Sequence, residues 1–276
     1  MLFRKPIAAL ARVICMEEIE LVGGVNRVVR RGATVSRPTG PWSSAVHRLL
    51  DHVAAQGFTG APRVLGTSAD GSTETLTYLD GEVLDYPLPA YARSDAALSS
   101  VARLLRRFHD ATAGFVTAPE DVWQLPAHDP AEVICHGDAA TYNCVFRDGL
   151  PVAFIDFDTA HPGPRLWDAA YTAYRFVPLH APGADEGTLP LPEQARRLAL
   201  FAETYGFSDA ELGRLPAMVV ARLQALVDFM TARAAEGHPA FTRHLAEGHH
   251  HRYLADADHV TTHADALGAG ASPPRA

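Results

Sequence analysis

The stretch from His136 to Asn143 constrains this chain more than any other. It reads His-Gly-Asp-Ala-Ala-Thr-Tyr-Asn, so the carboxylate of Asp138 and the amide of Asn143 stand five positions apart. An Asp-Gly turn and a short apolar alternation follow and lead to Asp156, a pattern that predicts the second strand of a hairpin. Asp156 would then lie at a strand end beside the loop that carries the other two residues. Three such oxygen side chains could form a magnesium site.

The same five-residue spacing occurs in the catalytic loop of protein kinases, where the Asp orients the attacking hydroxyl and the Asn holds magnesium. Two further segments follow in order, Ile155-Asp156-Phe157-Asp158 and the run Gly-Pro-x-x-x-Asp-x-Ala from Gly163 to Ala170. The combination resembles the aminoglycoside phosphotransferase family, which comprises antibiotic kinases and other small-molecule kinases related to protein kinases. This chain has Gly137 where protein kinases have Arg.

The resemblance implies a role for each acid of the motif. Asp138 would be the catalytic aspartate, Asn143 and Asp156 would bind Mg²⁺, and Asp168 would be a buried carboxylate that braces the catalytic loop. A lone Asp before a hairpin is also a common turn or cap residue, and Asp168 would also suit a helix N-terminus. For Asp158 two interpretations stay open, a contact with metal or substrate and a solvated acid.

The kinase pattern also needs a flexible glycine turn over the ATP phosphates and a lysine on the third strand. Gly23 and Gly24 stand between two predicted strands and would form that turn. The chain has a single lysine, Lys5, which lies upstream of the turn. Arg37 on the predicted third strand is therefore the best phosphate-binding residue, with Arg30 as a second candidate.

Two further nucleotide contacts are implied by the resemblance. His47 stands on the predicted helix where a glutamate would orient the lysine, although it is equally compatible with a surface histidine. The backbone of Thr77 and Leu79, just before the predicted hinge, would face the adenine edge. Because Arg and His replace Lys and Glu, the choice between ATP and GTP is left open.

Composition limits the partners. A net charge of −8 argues against nucleic acid. It would suit a cationic substrate, and solubility accounts for it equally well. We expect no membrane-spanning segment. Three cysteines, Cys15, Cys135 and Cys144, lack metal-ligand spacing, and the two that flank the catalytic loop are expected to be buried thiols in a cytoplasmic protein.

The sequence thus predicts an α+β protein with a two-lobed protein-kinase-like fold, a small antiparallel-sheet N-lobe and a mainly helical C-lobe. The expected boundaries are an N-terminal extension over 1–15, the N-lobe over 16–79, the C-lobe with the catalytic hairpin over 80–267 and a disordered tail over 268–276. The expected reaction is transfer of the γ-phosphoryl group of ATP or GTP to a hydroxyl of a small molecule, such as an aminoglycoside-like antibiotic. The alternative is a pseudokinase that binds nucleotide or ligand without turnover.

Overall fold

The N-terminal part of the chain is an antiparallel sheet with one helix. The computed structural model describes residues 18–21, 28–183 and 188–269, and the following elements are those of this part of the chain. Five strands form the sheet in the order β1-β2-β3-β5-β4. They are β1 Glu18–Leu21, β2 Val28–Arg31, β3 Thr34–Pro38, β4 Val64–Thr67 and β5 Thr73–Thr77. We call this sheet and helix α1 the N-lobe.

Helix α1, Ser43–Ala55, connects β3 to β4. It buries Val46, Leu49, Leu50 and Val53 at helical spacing, which is the apolar stripe that the sequence presents there. The core in which these residues take part extends into the second half of the chain, so the sheet and the helical part share apolar contacts.

The remaining elements form the C-lobe, which is mainly helical. Its strands are β6 Glu82–Val83, β7 Val133–Cys135, β8 Cys144–Arg147, β9 Leu150–Phe154 and β10 His161–Gly163. Its helices are α2 Asp95–Thr112, α3 Arg165–Phe176, α4 Leu191–Tyr205, α5 Asp209–Ala235, α6 Pro239–Ala246, α7 His249–Thr262 and α8 Ala264–Gly268. This arrangement confirms the predicted α+β class, with the antiparallel sheet before the helices.

The catalytic segment is built on two small strand pairs. Strands β8 and β9 form the predicted hairpin, with β6 on its outer side. Strand β7 enters the segment and pairs with β10, which leaves it, so that Cys135 lies opposite His161. The residues between β7 and β10 are therefore held at both ends.

Helix α5 corrects two expectations. The sequence predicts a capping box at Ser208 and Glu211 and a long helix from about Pro216 to Glu236. The helix instead begins at that capping box, and Pro216 lies inside it. The reciprocal cap fixes the start, and the missing N–H of Pro216 is tolerated within the long helix.

The second expectation is that the chain has no apolar run long enough to span a membrane. By length and composition alone α5 could cross one, and 39% of its most apolar window is buried against the rest of the protein.

Helix α2 is the centre of the core. Ser94 caps it by accepting the N–H of Ala97 at 3.1 Å, as the sequence predicts. Phe108 on its inner face is fully buried and contacts the rings of three other phenylalanines. These are Phe58 after α1, Phe154 on β9 and Phe157 after β9, at centroid distances of 5.6 to 6.3 Å. One side chain thus joins the N-lobe helix to the catalytic hairpin.

Replacing Phe108 by Ala should lower the free energy of unfolding by about 3–5 kcal/mol, because the side chain is fully enclosed and leaves a cavity. Urea denaturation followed by circular dichroism would measure the loss. Val116→Ala is the matched control, since Val116 is 78% exposed and its truncation should cost under about 0.5 kcal/mol. A loss for Phe108→Ala no greater than that of the control would contradict this account of the core.

Candidate active site

The carboxylate of Asp138 lies just before the hairpin β8–β9, and both of its oxygens accept hydrogen bonds. Oδ1 accepts the hydroxyl of Tyr142 at 2.8 Å, and Oδ2 accepts the side-chain amide of Asn143 at 2.9 Å. Burial raises the pKa of Asp138 to about 6, although the Tyr142 bond acts in the opposite direction. The carboxylate is therefore fixed in orientation and has the affinity for a proton that a base working near neutral pH needs.

Asn143 and Asp156 meet because of the hairpin register. Cys144 pairs with Phe154, and the N–H of Ile155 donates to the carbonyl of Asn143 at 2.9 Å, which brings Asp156 next to Asn143. Asp156 has a left-handed backbone, with φ of 62°. A non-glycine residue in this conformation marks a site where backbone strain is tolerated for the placement of a side chain. The structure thus brings together the three residues that the sequence motif selects.

Asp168 braces the catalytic loop, as the resemblance implies. Its fully buried carboxylate accepts the backbone N–H groups of His136 at 2.7 Å and Gly137 at 2.9 Å, and the Nε2–H of His109 at 2.9 Å. Burial alone would raise the pKa of Asp168, but the His109 bond and the nearby donors hold it well below its usual value. His109 is in turn bonded to the hydroxyl of Tyr205 at 2.6 Å.

The contacts of His136 and Gly137 explain why the motif begins with histidine and glycine. His136 accepts the N–H of Asp138 at Nδ1, 3.3 Å away, and donates Nε2–H to the carbonyl of Ile155 at 3.0 Å. It therefore connects the loop to the strand end that carries the second acid. Gly137 has φ of 83°, and a Cβ there would lie 2.3 Å from the carbonyl oxygen of Thr159, so no other residue fits.

Arg37 on β3 reaches across the cleft to the hairpin. Its Nη1 donates to Asp156 at 2.7 Å and its Nη2 to Asp158 at 2.5 Å, while Nε donates to Glu74 at 2.5 Å. Burial would lower the pKa of Arg37, but the charges of Asp158, Asp156 and Glu74 raise it. Asp158 is therefore an ion-pair partner of Arg37, with a side chain only 17% exposed, and not a solvated acid.

Sequence reasoning missed Glu74. It lies on β5 directly opposite Arg37, and its side chain is 2% exposed. Its second oxygen accepts a hydrogen bond from Nε2 of His47, so His47 is not a plain surface histidine and contacts Glu74 instead of Arg37. Burial would raise the pKa of Glu74, but the bonds from His47 and Arg37 lower it. Only the cross-strand register, which depends on strand pairing, could have indicated this partner.

Three other residues are predicted to contact the nucleotide, and the structure shows the present contacts of two of them. Arg30 stacks on the ring of Tyr78, 3.6 Å from its centroid, and does not join the cluster around Arg37. The N–H of Thr77 donates to the carbonyl of Arg63 at 2.9 Å, and the contact of the Thr77 backbone with adenine stays a prediction. The contact of Leu79 stays a prediction.

Three other sequence-based expectations concern the ends of the chain and the cysteines. Gly23, Gly24 and the N-terminal extension lie outside the described residues. Cys135 and Cys144 are buried thiols, as expected. Helix α8 includes Gly268, one residue beyond the predicted end of the helical part.

Two tyrosines that the motif did not predict lie next to Asp138. The hydroxyl of Tyr171 lies 3.0 Å from that of Tyr142, and Arg222 lies over the Tyr171 ring at 4.6 Å. Arg222 also donates to the carbonyl of Gly137 at 2.5 Å. Helix α3 thus adds the phenol of Tyr171 beside Tyr142 of the loop, and helix α5 adds the buried cation of Arg222.

A cavity of about 300 Å³ lies beyond these tyrosines, between α3, residues 180–183 and α7. Tyr174 and Tyr253 form part of its wall, and Arg175 joins the cavity to the site, since its guanidinium lies 5.6 Å from the Tyr142 ring centroid. Asp256 at the base uses both oxygens internally, for the hydroxyl of Tyr174 and the N–H of Ala181. The cavity has the size of a small organic molecule.

The donor set fits a magnesium ion bound together with phosphates. Asn143 offers its amide oxygen, because its nitrogen is bonded to Asp138, and Asp156 has a side chain 51% exposed to the cleft. No group of three or more His, Cys, Asp or Glu in the described part of the chain could hold a metal alone. Mg²⁺ is commonly bound by one or two carboxylates and completed by substrate phosphates and water, which agrees with this set.

Comparisons with solved structures identify the fold. A choline/ethanolamine kinase family protein from Mesorhizobium loti superimposes with a TM-score of 0.63 at 17% identity, over 94% of this chain and 95% of that one. Amicoumacin kinase hAmiN, solved with AMP-PNP, Ca²⁺ and Ami, gives 0.60 at 13% identity, over 84% and 88%. The predicted two-lobed kinase-like fold of small-molecule kinases is thus confirmed.

Sequence comparison gives the family. Residues 115–198 match the family model described as phosphotransferase enzyme family. The trifolitoxin immunity protein of Rhizobium leguminosarum bv. trifolii is 35% identical over 198 residues, which are 69% of this chain and 74% of that protein. The chain belongs to the phosphotransferase enzyme family, as its motifs indicate.

Replacing Asp168 by Asn should lower the free energy of unfolding at neutral pH by about 2–4 kcal/mol, because one oxygen that accepts N–H groups becomes a donor. The folded-state pKa of Asp168 is depressed, so its stabilisation is present above the ordinary carboxyl pKa and is lost as the pH falls through the folded-state value. The difference between wild type and variant should therefore be full near pH 7 and shrink below about pH 4. Urea titrations at several pH values would measure it, and a difference independent of pH would contradict the role.

Proposed function

We propose that this protein transfers the γ-phosphoryl group of ATP or GTP to a hydroxyl of a small molecule. The observation that carries the proposal is the meeting of Asp138, Asn143 and Asp156 at one end of hairpin β8–β9, opposite Arg37. Phosphoryl transfer needs these parts at one place: a carboxylate for the acceptor hydroxyl, oxygen ligands for the metal and a cation for the phosphates. Family membership and the kinase-like neighbours support the same reaction.

Asp138 would orient the acceptor hydroxyl and accept its proton as the oxygen attacks the γ-phosphorus. The bond from that phosphorus to the bridging β-phosphate oxygen would break, and the nucleoside diphosphate would leave. Its two hydrogen bonds hold the carboxylate plane, so the acceptor does not have to organise it. Asn143 and Asp156 would hold Mg²⁺, which neutralises charge on the phosphates when bound. Arg37 would bind the triphosphate with Nη1 and Nη2, the two groups that now contact Asp156 and Asp158.

The cavity between α3, residues 180–183 and α7 is the proposed acceptor site. It adjoins Asp138 through Tyr142 and Arg175. One curated relative is named an immunity protein and one structural neighbour an amicoumacin kinase, so we include toxins and antibiotics among the acceptors. The proposed location is the cytoplasm, where nucleotide triphosphate is available.

The alternative is a pseudokinase. The observation that favours it is the ion pair of Arg37 with Asp156, which occupies the proposed metal ligand. It would bind nucleotide or acceptor without transferring phosphate.

Asp138→Asn should lower kcat by about 10²- to 10⁴-fold, because the acceptor loses the group that takes its proton. Turnover of ATP and GTP would be measured against a panel of hydroxylated antibiotics, amino alcohols and sugars, with mass spectrometry to detect the phosphorylated product. Asp148→Asn is the matched control, since it makes the same change in the exposed turn of the same hairpin and should leave kcat unchanged. Nucleotide binding by the wild type with no product from any acceptor would favour the pseudokinase.

Asp156→Asn should raise the Mg²⁺ concentration needed for half-maximal turnover by about tenfold or more, because a neutral amide is a poorer ligand for a hard cation. Removal of Mg²⁺ with EDTA should abolish turnover, and readdition should restore it. Nucleotide-dependent Mn²⁺ binding, followed by electron paramagnetic resonance, would show the same weakening without catalysis. Wild-type Mn²⁺ affinity in the variant would reject Asp156 as the ligand.

A further inference from the structure

We propose that Glu74 and His47 form a positioning pair that aims the guanidinium of Arg37 at the nucleotide phosphates. The proposal rests on the proposed function, in which Arg37 binds the triphosphate. It assigns to a strand carboxylate and a helix imidazole the task that a single helix glutamate was expected to perform. Neither residue would touch the nucleotide, so both would act through Arg37.

Glu74 is a rigid anchor for Arg37, because hydrogen bonds fix both oxygens of its carboxylate. Arg37 and Glu74 face each other across the β3–β5 ladder, and the contact from Nε to Oε1 is 2.5 Å. The other oxygen of Glu74 is bonded to His47, which projects from α1. With 2% of its side chain exposed, Glu74 has both oxygens engaged inside the protein and cannot turn away without breaking one of these bonds.

The geometry of arginine explains what the anchor does. A guanidinium is a planar fork whose donors have fixed directions. When Glu74 holds Nε–H, the plane of the guanidinium is set, and with it the directions of the two terminal nitrogens, which donate to Asp156 and Asp158 at 2.7 and 2.5 Å. A lysine, with one nitrogen on a flexible stem, would not be fixed in this way.

Nucleotide binding would exchange the partners on one side of the fork only. Phosphate oxygens and Asp156 both require the terminal nitrogens of Arg37, and Mg²⁺ would require Asp156. Glu74 binds Nε, so its bond can persist while the terminal nitrogens move from carboxylates to phosphates. Without Glu74, no contact would fix the plane of the guanidinium once its terminal nitrogens leave Asp156 and Asp158, so nucleotide binding would have to order the side chain.

The test is equilibrium binding of AMP-PNP in the presence of Mg²⁺, measured by isothermal titration calorimetry well below the melting temperature of each variant. Glu74→Gln should raise Kd about 10- to 100-fold, the factor expected when a charged hydrogen bond is lost. His47→Ala should raise Kd about 3- to 10-fold, and His47→Gln, whose amide can still donate to Glu74, should stay within about threefold of wild type. Recovery by Gln separates positioning from a general effect on folding.

Glu18→Gln is the matched control, because it removes the charge of an exposed Glu–Arg pair on the same sheet, Glu18 with Arg31 at 2.8 Å. Its Kd should equal that of wild type. If Glu74→Gln does not fold, the two His47 variants decide the question. Wild-type affinity in Glu74→Gln, or in His47→Ala, would overturn the proposal.

Arg37→Ala separates this proposal from the proposed function. If Arg37→Ala weakens AMP-PNP binding and Glu74→Gln does not, only the positioning pair is wrong. If the wild type binds neither AMP-PNP nor the corresponding GTP analogue, the proposed function fails, and the positioning pair fails with it.

Discussion

The carboxylate of Asp168 is the interaction on which the rest of the site depends. It is fully buried, and it collects two backbone N–H groups of the catalytic loop and one imidazole N–H. A buried charge is tolerated only when such donors replace water. The backbone donors come from residues 136 and 137. The buried carboxylate of Asp168 therefore has its hydrogen bonds only when the loop adopts this conformation, and the loop is held in this conformation by the same bonds. The position of Asp138 one residue later follows from this bond pattern.

Arg37 provides the second connection, between the sheet and the hairpin. Its ion pairs cross from β3 to residues 156 and 158, while its third contact stays within the sheet. A side chain that is mostly buried and bonded to three carboxylates sets the separation of the two sides of the cleft. The acids in the cleft are brought together by folding, and this cation offsets the repulsion between them.

The sequence predicts the central part of this site well, because its chemistry requires fixed local spacing. Asp138, Asn143 and Asp156 are close in the chain, and one hairpin register brings them together. Helix caps at Ser94 and Ser208 were readable for the same reason. Glu74, Tyr171 and Arg222 were not predicted, since each reaches the site through tertiary packing and carries no motif of its own. Pro216 misled the placement of α5 because a breaker was given more weight than the preceding capping box.

The use of arginine in place of lysine has a consequence for chemical probing of the protein. Lys5, the single lysine, belongs neither to the hairpin nor to the sheet strand that faces it. Among the described residues, reagents that acylate a phosphate-site amine therefore have no lysine to react with. Dicarbonyl reagents that condense with guanidinium groups would be the matching chemistry, and Arg37, tied to three carboxylates, would react only as those contacts open.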